Sequence, residues 1–168
     1  LLIDIKDAGF EKAILALINL NRLVGRAVYV SWVPEALYAI HDLDPAADLC
    51  LSHWCQKPHE LIRAKHQVFD AKDGHIPRTG HDLIHGQTSG WFVDGPLSGE
   101  IRKIVSSVCV PQDMVTKDLV ANYHQDDIQV STFSYIDWPH IMAHDERMSI
   151  DLYFIDDKTV FDALPLKA

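Results

Sequence analysis

Short apolar runs alternate with amphipathic helical segments over most of this chain, and this alternation restricts the fold more than any other feature. Each apolar run has the length of a strand, and the segment after it carries apolar residues at helical spacing. Strands that alternate with helices form a parallel sheet, because each helix returns the chain to the start of the next strand. The predicted strands are residues 1–5, 26–31, 49–52, 105–110, 128–133 and 150–155.

Six helices are predicted around these strands, at residues 10–23, 34–41, 58–69, 116–124, 138–147 and 158–164. The regular alternation is interrupted between residues 53 and 99, where six of the ten histidines and several turn signals are found. An excursion of this length in an α/β scaffold usually lies over the functional face or forms a partner surface. We therefore treat residues 53–99 as an insertion within a single domain.

Composition narrows the class of protein. A chain of 168 residues with 48% hydrophobic residues can form one domain with a sizeable core. The net charge of -9 argues against nucleic-acid partners and anionic membrane surfaces, and no apolar run approaches the roughly 20 residues of a transmembrane helix. We therefore expect a soluble protein. The chain starts with Leu1 inside a predicted strand, so we also expect a preceding segment that could hold a targeting signal.

The three cysteines do not have the spacing of a disulfide framework or of a zinc ribbon. Cys50 and Cys109 lie within apolar runs, and we predict that both are reduced core residues. His81 and His85 could bind zinc from one face of a helix, and His53 could join Cys55 and His59 in a metal cluster. In both cases ordinary loop roles are the interpretation that we favour.

An acid and a base stand at the end of the first predicted strand. Asp4 and Lys6 are two residues apart, so they point to the same side of that strand. If that side is a barrel lumen, the carboxylate can hold a cation while the ammonium group contacts a phosphate oxygen of the same ligand. The alternative is an ion pair at a strand end without a catalytic role.

Four short motifs at strand ends, taken in chain order, resemble the motifs of one known enzyme family. Asp4-Ile5-Lys6 is similar to a Glu-Ile-Lys signature, and Ser31-Trp32-Val33-Pro34-Glu35 is similar to a Ser-Phe strand end before a helix. Residues 133–137, which read Phe-Ser-Tyr-Ile-Asp, are similar to a strand end with the sequence Trp-Thr-Val-Asn-Asp. Residues 152–157 are similar to a closing strand that ends in Thr-Asp. In this order the segments resemble the C-terminal three quarters of the glycerophosphodiester phosphodiesterase family, which is a (β/α)8 barrel.

The resemblance implies an incomplete barrel of about six β/α units. It also implies metal-dependent hydrolysis of a small glycerophosphodiester to glycerol phosphate and an alcohol. Asp4 would bind the divalent cation, Mg²⁺ or Ca²⁺, and Lys6 would contact the phosphate as a catalytic residue. Trp32 and Phe133 would line the substrate pocket. The chain departs from the family because Asp4 is shorter than glutamate and Phe133 lacks an indole donor. The family's His-Arg-Gly strand, its other metal acids and its second catalytic histidine have no counterpart.

Two other interpretations remain. The chain could be a non-catalytic barrel remnant that acts as a binding or assembly module, or an unrelated (β/α)8 enzyme that uses the same strand ends. An incomplete barrel also leaves two sheet edges open, and open edges tend to recruit strands. We therefore expect either a homo-oligomer or an insertion that folds across the gap.

Overall fold

The fold was determined as a computed structural model. It describes residues 1–53, 75–76, 90–91, 97, 99–112, 115–133, 139, 141–142 and 148–154. The strands are β1 (Leu2–Ile5), β2 (Val28–Ser31), β3 (Asp48–Ser52), β4 (His75–Ile76), β5 (Gly90–Trp91), β6 (Ser107–Pro111), β7 (Gln129–Phe133) and β8 (Leu152–Tyr153). The helices are α1 (Glu11–Leu20), α2 (Pro34–Leu43), α3 (Gly99–Ile104) and α4 (Lys117–His124).

Six strands form one sheet in the order β1-β2-β3-β6-β7-β8, and every neighbouring pair is parallel. The sheet curls into a half-barrel with its helices outside, which confirms the α/β class and the incomplete barrel. The short strands β4 and β5 pair antiparallel within the predicted insertion. That pairing was not predicted, because two-residue strands leave no periodic pattern in a sequence.

Alternate residues of the strands form two separate apolar clusters, as the two faces of a pleated sheet require. On the convex face Leu49, Val108 and Val130 are fully buried in the main core, beneath the helices. On the concave face Cys50 and Cys109 form a smaller cluster with Val30, Val28, Phe133 and Phe154. Both cysteines are free and buried, which confirms the prediction for them.

Three local differences from the predictions have physical reasons. Helix α1 ends at Leu20, because Arg22 and Gly25 adopt positive φ angles of 57° and 71° that a helix cannot continue through. Helix α3 is only six residues long, too short for an amphipathic period to be read. Residues 1–5 form an apolar run of the kind that central strands have, but β1 lies at the end of the described sheet and its Leu2 is exposed.

The predicted helices at 58–69 and 158–164, and most of the one at 138–147, lie outside the described residues. Within the described part, none of the helices combines the length and the apolar character needed to cross a bilayer.

Candidate functional site

The predicted site residues share one end of the half-barrel. In a parallel sheet all strands end at the same edge, and the register pairs Ile5 with Ser31 and Pro111 with Phe133. Asp4 and Lys6 therefore stand at the same edge as Phe133, and Trp32 directly follows β2 at this edge. This is the carboxyl end of the strands, where ligands bind in barrel and open-sheet α/β proteins.

Asp4 and Lys6 form an ion pair across the end of β1. The Lys6 Nζ and the Asp4 Oδ2 are 2.5 Å apart, and the two side chains are 72% and 45% exposed. The structure thus brings the two residues together, as their spacing indicated. Both the ligand-binding interpretation and the plain ion pair are compatible with this contact.

Trp32 and Phe133 form an aromatic pair at the same edge. Their ring centroids are 5.9 Å apart and their planes are inclined by 82°, an edge-to-face arrangement. The two strands that carry them are separated in the sheet by β3 and β6, so the contact depends on the curl of the sheet. A sequence pattern can predict which strand end each ring follows, but not this contact between distant strands.

Ser31 has a structural role at the end of β2. Its buried hydroxyl donates a hydrogen bond of 2.7 Å to the Ile5 carbonyl and accepts one of 2.9 Å from the Val33 backbone N–H. These bonds join β1 to β2 and fix the turn that leads into α2. A hydroxyl held in this way is not an activated nucleophile, in agreement with the absence of a Gly-x-Ser-x-Gly elbow.

The two thiols below the site are protonated. Burial is the main cause that raises the pKa of Cys50 to about 11, and the charges of Asp48 and Asp4 add to it, whereas hydrogen bonds from Ser107 and Ser131 lower it. Burial likewise raises the pKa of Cys109. The thiolate is the form of cysteine that acts as a nucleophile and binds metals. We therefore assign these two protonated cysteines to the core and not to a catalytic or metal-binding role.

His53 was placed in the insertion by sequence reasoning, but it directly follows β3 at the carboxyl edge. Its ring is fully buried on the helix side, where its Nε2 lies 2.7 Å from the Tyr123 hydroxyl. The Leu97 backbone N–H donates to the same hydroxyl at 2.8 Å, and the tautomer of the imidazole decides whether the hydroxyl donates to the His53 Nε2 or accepts from it. Leu49 and Leu51 of β3 are buried on the helix side, and the period of two residues that places His53 on the same side is the signal that could have predicted this orientation.

The other described histidines with known side-chain surroundings lie away from this edge. His124, at the C-terminal end of α4, pairs with Asp151 before β8 at 2.8 Å between Nε2 and Oδ2. His41 lies in the last turn of α2, and its buried Nδ1 has no hydrogen-bond partner. Among His41, His53 and His124, whose side chains the structure describes, no imidazole faces the Asp4–Lys6 pair.

The described residues supply only part of a divalent cation site. Mg²⁺ or Ca²⁺ takes six or more oxygen ligands, whereas Asp4 offers one carboxylate that is already paired with Lys6. Within the described ranges there is no group of three or more His, Cys, Asp or Glu residues placed to hold a metal ion. These residues alone do not fit the cation. The predicted candidates His59, His81, His85 and Cys55 lie outside the described residues.

Comparisons with known proteins bear on the fold. No protein-family model matches the chain, and no curated protein matches it in sequence. Its structure is similar to glycerophosphodiester phosphodiesterases from Parabacteroides distasonis (10% identity, TM-score 0.56, 90% of this chain and 51% of that one) and Agrobacterium tumefaciens (13%, 0.55, 96% and 55%). A protein of the same designation from Galdieria sulphuraria shares 13% identity, with a TM-score of 0.57 over 91% of this chain and 52% of that one.

The chain thus spans about half the length of the solved structures that it matches. At these identities the likeness establishes the fold, and it confirms the barrel type that the motifs indicated. The six-stranded half-barrel is therefore built like part of a glycerophosphodiester phosphodiesterase barrel.

Proposed function

We propose that the carboxyl edge of this half-barrel is the substrate-binding end of a phosphodiester hydrolase of the glycerophosphodiester class. The observation that carries the proposal is the position of the Asp4–Lys6 pair beside the Trp32–Phe133 pair on a fold of this type. The first pair supplies charge for a phosphate, and the second supplies an apolar wall. The reaction would release glycerol phosphate and an alcohol.

Lys6 is the group that meets the phosphate. Its ion pair with Asp4 is largely exposed to solvent, and exposed pairs contribute only about 0–1 kcal/mol to stability. A phosphodiester can therefore replace Asp4 as the partner of Lys6 at little cost. The charge-assisted hydrogen bond from the ammonium group to a phosphate oxygen contributes roughly 1.5–3 kcal/mol to binding.

Trp32 and Phe133 form the apolar wall of the proposed substrate pocket. Edge-to-face rings hold each other in place, so they present a wall of fixed shape to the non-ionic part of a ligand. Phosphate binding by a lysine beside a rigid apolar wall suits a small diester with one charged centre. It suits a nucleic acid poorly, because the net charge of -9 repels a polyanion.

Hydrolysis needs groups that transfer protons, and the described residues at this edge do not include them. If a divalent cation takes part, Asp4 is the described residue that would be one of its ligands. The second candidate function is a non-catalytic module that binds phosphodiesters. The observation in its favour is that His53, at the same edge, turns its ring to the helix side and bonds Tyr123.

Titration with glycerol 3-phosphate, followed by NMR or calorimetry, tests the binding role of Lys6. We expect Lys6→Ala to weaken binding at least about tenfold, as the loss of one charge-assisted hydrogen bond predicts. Lys103→Ala is the matched control, because Lys103 is about as exposed as Lys6 and forms an ion pair with Glu100 in α3. Equal affinity of the Lys6→Ala variant and the unaltered chain would refute the proposal.

A further inference from the structure

Asp4 lies on the concave side of the sheet, one step deeper in the half-barrel than Lys6. The register pairs Asp4 with Val30 and Val30 with Cys50, and these two partners belong to the concave cluster. Paired residues of neighbouring strands point to the same face, so the Asp4 carboxylate is on that face too. Burial chiefly raises the pKa of Cys50 and the charge of Asp4 adds to it, as a carboxylate on the concave side would do.

A phosphate bound by Lys6 comes close to the charge of Asp4. The Lys6 Nζ lies 2.5 Å from the Asp4 Oδ2, and an ammonium group has three donors, so it can hold the carboxylate and a phosphate together. A phosphate oxygen on the ammonium group is then within about 5 Å of the carboxylate. If the phosphate instead replaces the carboxylate, the two residues remain about 7 Å apart along the chain, less than the Debye length of about 8 Å at physiological ionic strength.

The substrate and the product of the proposed hydrolysis differ in charge. A phosphodiester carries one negative charge, whereas a phosphate monoester such as glycerol phosphate carries about two at pH 8, since its second pKa is near 6. A lysine alone attracts the monoester more strongly than the diester. A neighbouring carboxylate repels the monoester about twice as strongly as the diester. Asp4 therefore reduces the advantage that Lys6 alone would give to the monoester.

We propose that Asp4 sets the charge selectivity of this site and favours the singly charged diester over the doubly charged monoester. The inference rests on the binding role of Lys6 proposed above. At a distance of about 5 Å in water, one extra unit of charge on the ligand changes the affinity roughly fourfold, and more where the concave face excludes water. Asp4 thus weakens the binding of glycerol phosphate, the product of the proposed hydrolysis, and favours its release.

Titrations with two matched ligands test the inference. Glycerol 3-phosphate and its methyl diester are titrated at pH 8 and low ionic strength, with EDTA present so that no divalent cation binds Asp4. The measured quantity is the dissociation constant of the monoester divided by that of the diester. We expect Asp4→Asn to lower this ratio about three- to tenfold, chiefly because the monoester binds more tightly. The Asp4 side chain is 45% exposed, so the variant should keep the circular dichroism spectrum of the folded chain.

Asp42→Asn is the matched control. Asp42 is an exposed residue in the last turn of α2, at the opposite end of the half-barrel from Lys6. This variant removes one negative charge from the chain, as Asp4→Asn does, and it should leave the ratio unchanged. In 1 M salt the Debye length is about 3 Å, so there Asp4→Asn should change the ratio much less than it does at low ionic strength.

The same titrations of Lys6→Ala separate this inference from the proposed function. If Lys6→Ala binds both ligands as tightly as the unaltered chain, the phosphate site is refuted and the selectivity with it. If Lys6→Ala weakens both ligands but Asp4→Asn leaves the ratio unchanged, the selectivity alone is refuted. Equal changes of the ratio in Asp4→Asn and Asp42→Asn would also overturn it, because the net charge of the chain would then be the cause.

Discussion

Trp32 packs edge-to-face with Phe133 across the concave side of the half-barrel, with 5.9 Å between the ring centroids, although two strands separate β2 from β7 in the sheet. A flat sheet would keep these strands more than 14 Å apart, at about 4.8 Å for each of three steps. The contact between the two rings is therefore possible only because the sheet is curved. It also encloses one side of the proposed phosphodiester site.

We expect Trp32 and Phe133 to be energetically coupled. A double-mutant cycle with Trp32→Leu and Phe133→Leu should give a coupling of about 0.5–1.5 kcal/mol in the free energy of unfolding, the usual range for an aromatic pair. Urea denaturation of the four proteins measures it. The control cycle combines Trp32→Leu with Leu43→Ala, at the far end of α2, and should show no coupling. A coupling near zero for the aromatic pair would contradict the observed geometry.

A second prediction concerns the buried Tyr123 hydroxyl. Tyr123→Phe removes a group that accepts from the Leu97 N–H and bonds the His53 Nε2, and it leaves both of these partners without that bond. Each buried polar group that loses its partner costs roughly 1–3 kcal/mol, so we expect a loss of about 2 kcal/mol or more in the free energy of unfolding.

Tyr38→Phe is the matched control for this variant. Tyr38 is partly exposed on α2, and a surface change of this kind should stay within about 0.5 kcal/mol. Thermal and chemical denaturation of both variants give the comparison. Equal stability of the two variants would show that the Tyr123 hydroxyl does not hold His53 and Leu97 together.

The strands of the sheet could be predicted from the sequence because each parallel strand is a short apolar run. Val108 and Val110 on the convex face, and Cys109 between them on the concave face, are all buried, so the run is apolar without interruption. The ends of the elements were less predictable. The positive φ of Arg22 ends the turn after α1, yet arginine carries no signal for that conformation.

Part of the candidate site was also predictable, because it depends on the periodicity of residues along a single strand. Asp4 and Lys6 are neighbours within one strand, so a period of two residues predicts that they meet. His53 bonds Tyr123, which lies 70 residues later, and local periodicity contains no information on such a pair. The curvature that joins Trp32 to Phe133 is likewise a property of the whole sheet.

The third prediction concerns alkaline pH. Burial raises the pKa of Cys50 to about 11, whereas a thiol in the unfolded chain titrates near pH 9. Between these values the unfolded chain releases a proton that the folded chain retains, so stability is fully present below about pH 9 and falls as the pH rises towards 11. A shift of this size corresponds to about 3 kcal/mol.

Comparison with Cys50→Ala isolates this effect. The free energies of unfolding of the two proteins should differ by a constant between pH 6 and pH 8. The difference should shrink above pH 9, because only the chain with Cys50 loses the linked stability. A difference that stays constant up to pH 11 would mean that the thiol titrates as an exposed group does.

The last prediction is that the 168-residue chain hydrolyses glycerophosphocholine at no more than the background rate, with Mg²⁺ or Ca²⁺ supplied. General acid–base catalysis typically contributes about 10²–10⁴ in rate, and none of the histidines whose side chains the structure describes faces Lys6. The His53 ring is buried on the helix side, and His124 pairs with Asp151 near the start of β8, at the opposite end of the sheet. Release of choline measures turnover, with Lys6→Ala as the comparison. Metal-dependent turnover that Lys6→Ala abolishes would mean that proton-transferring groups reach this site after all.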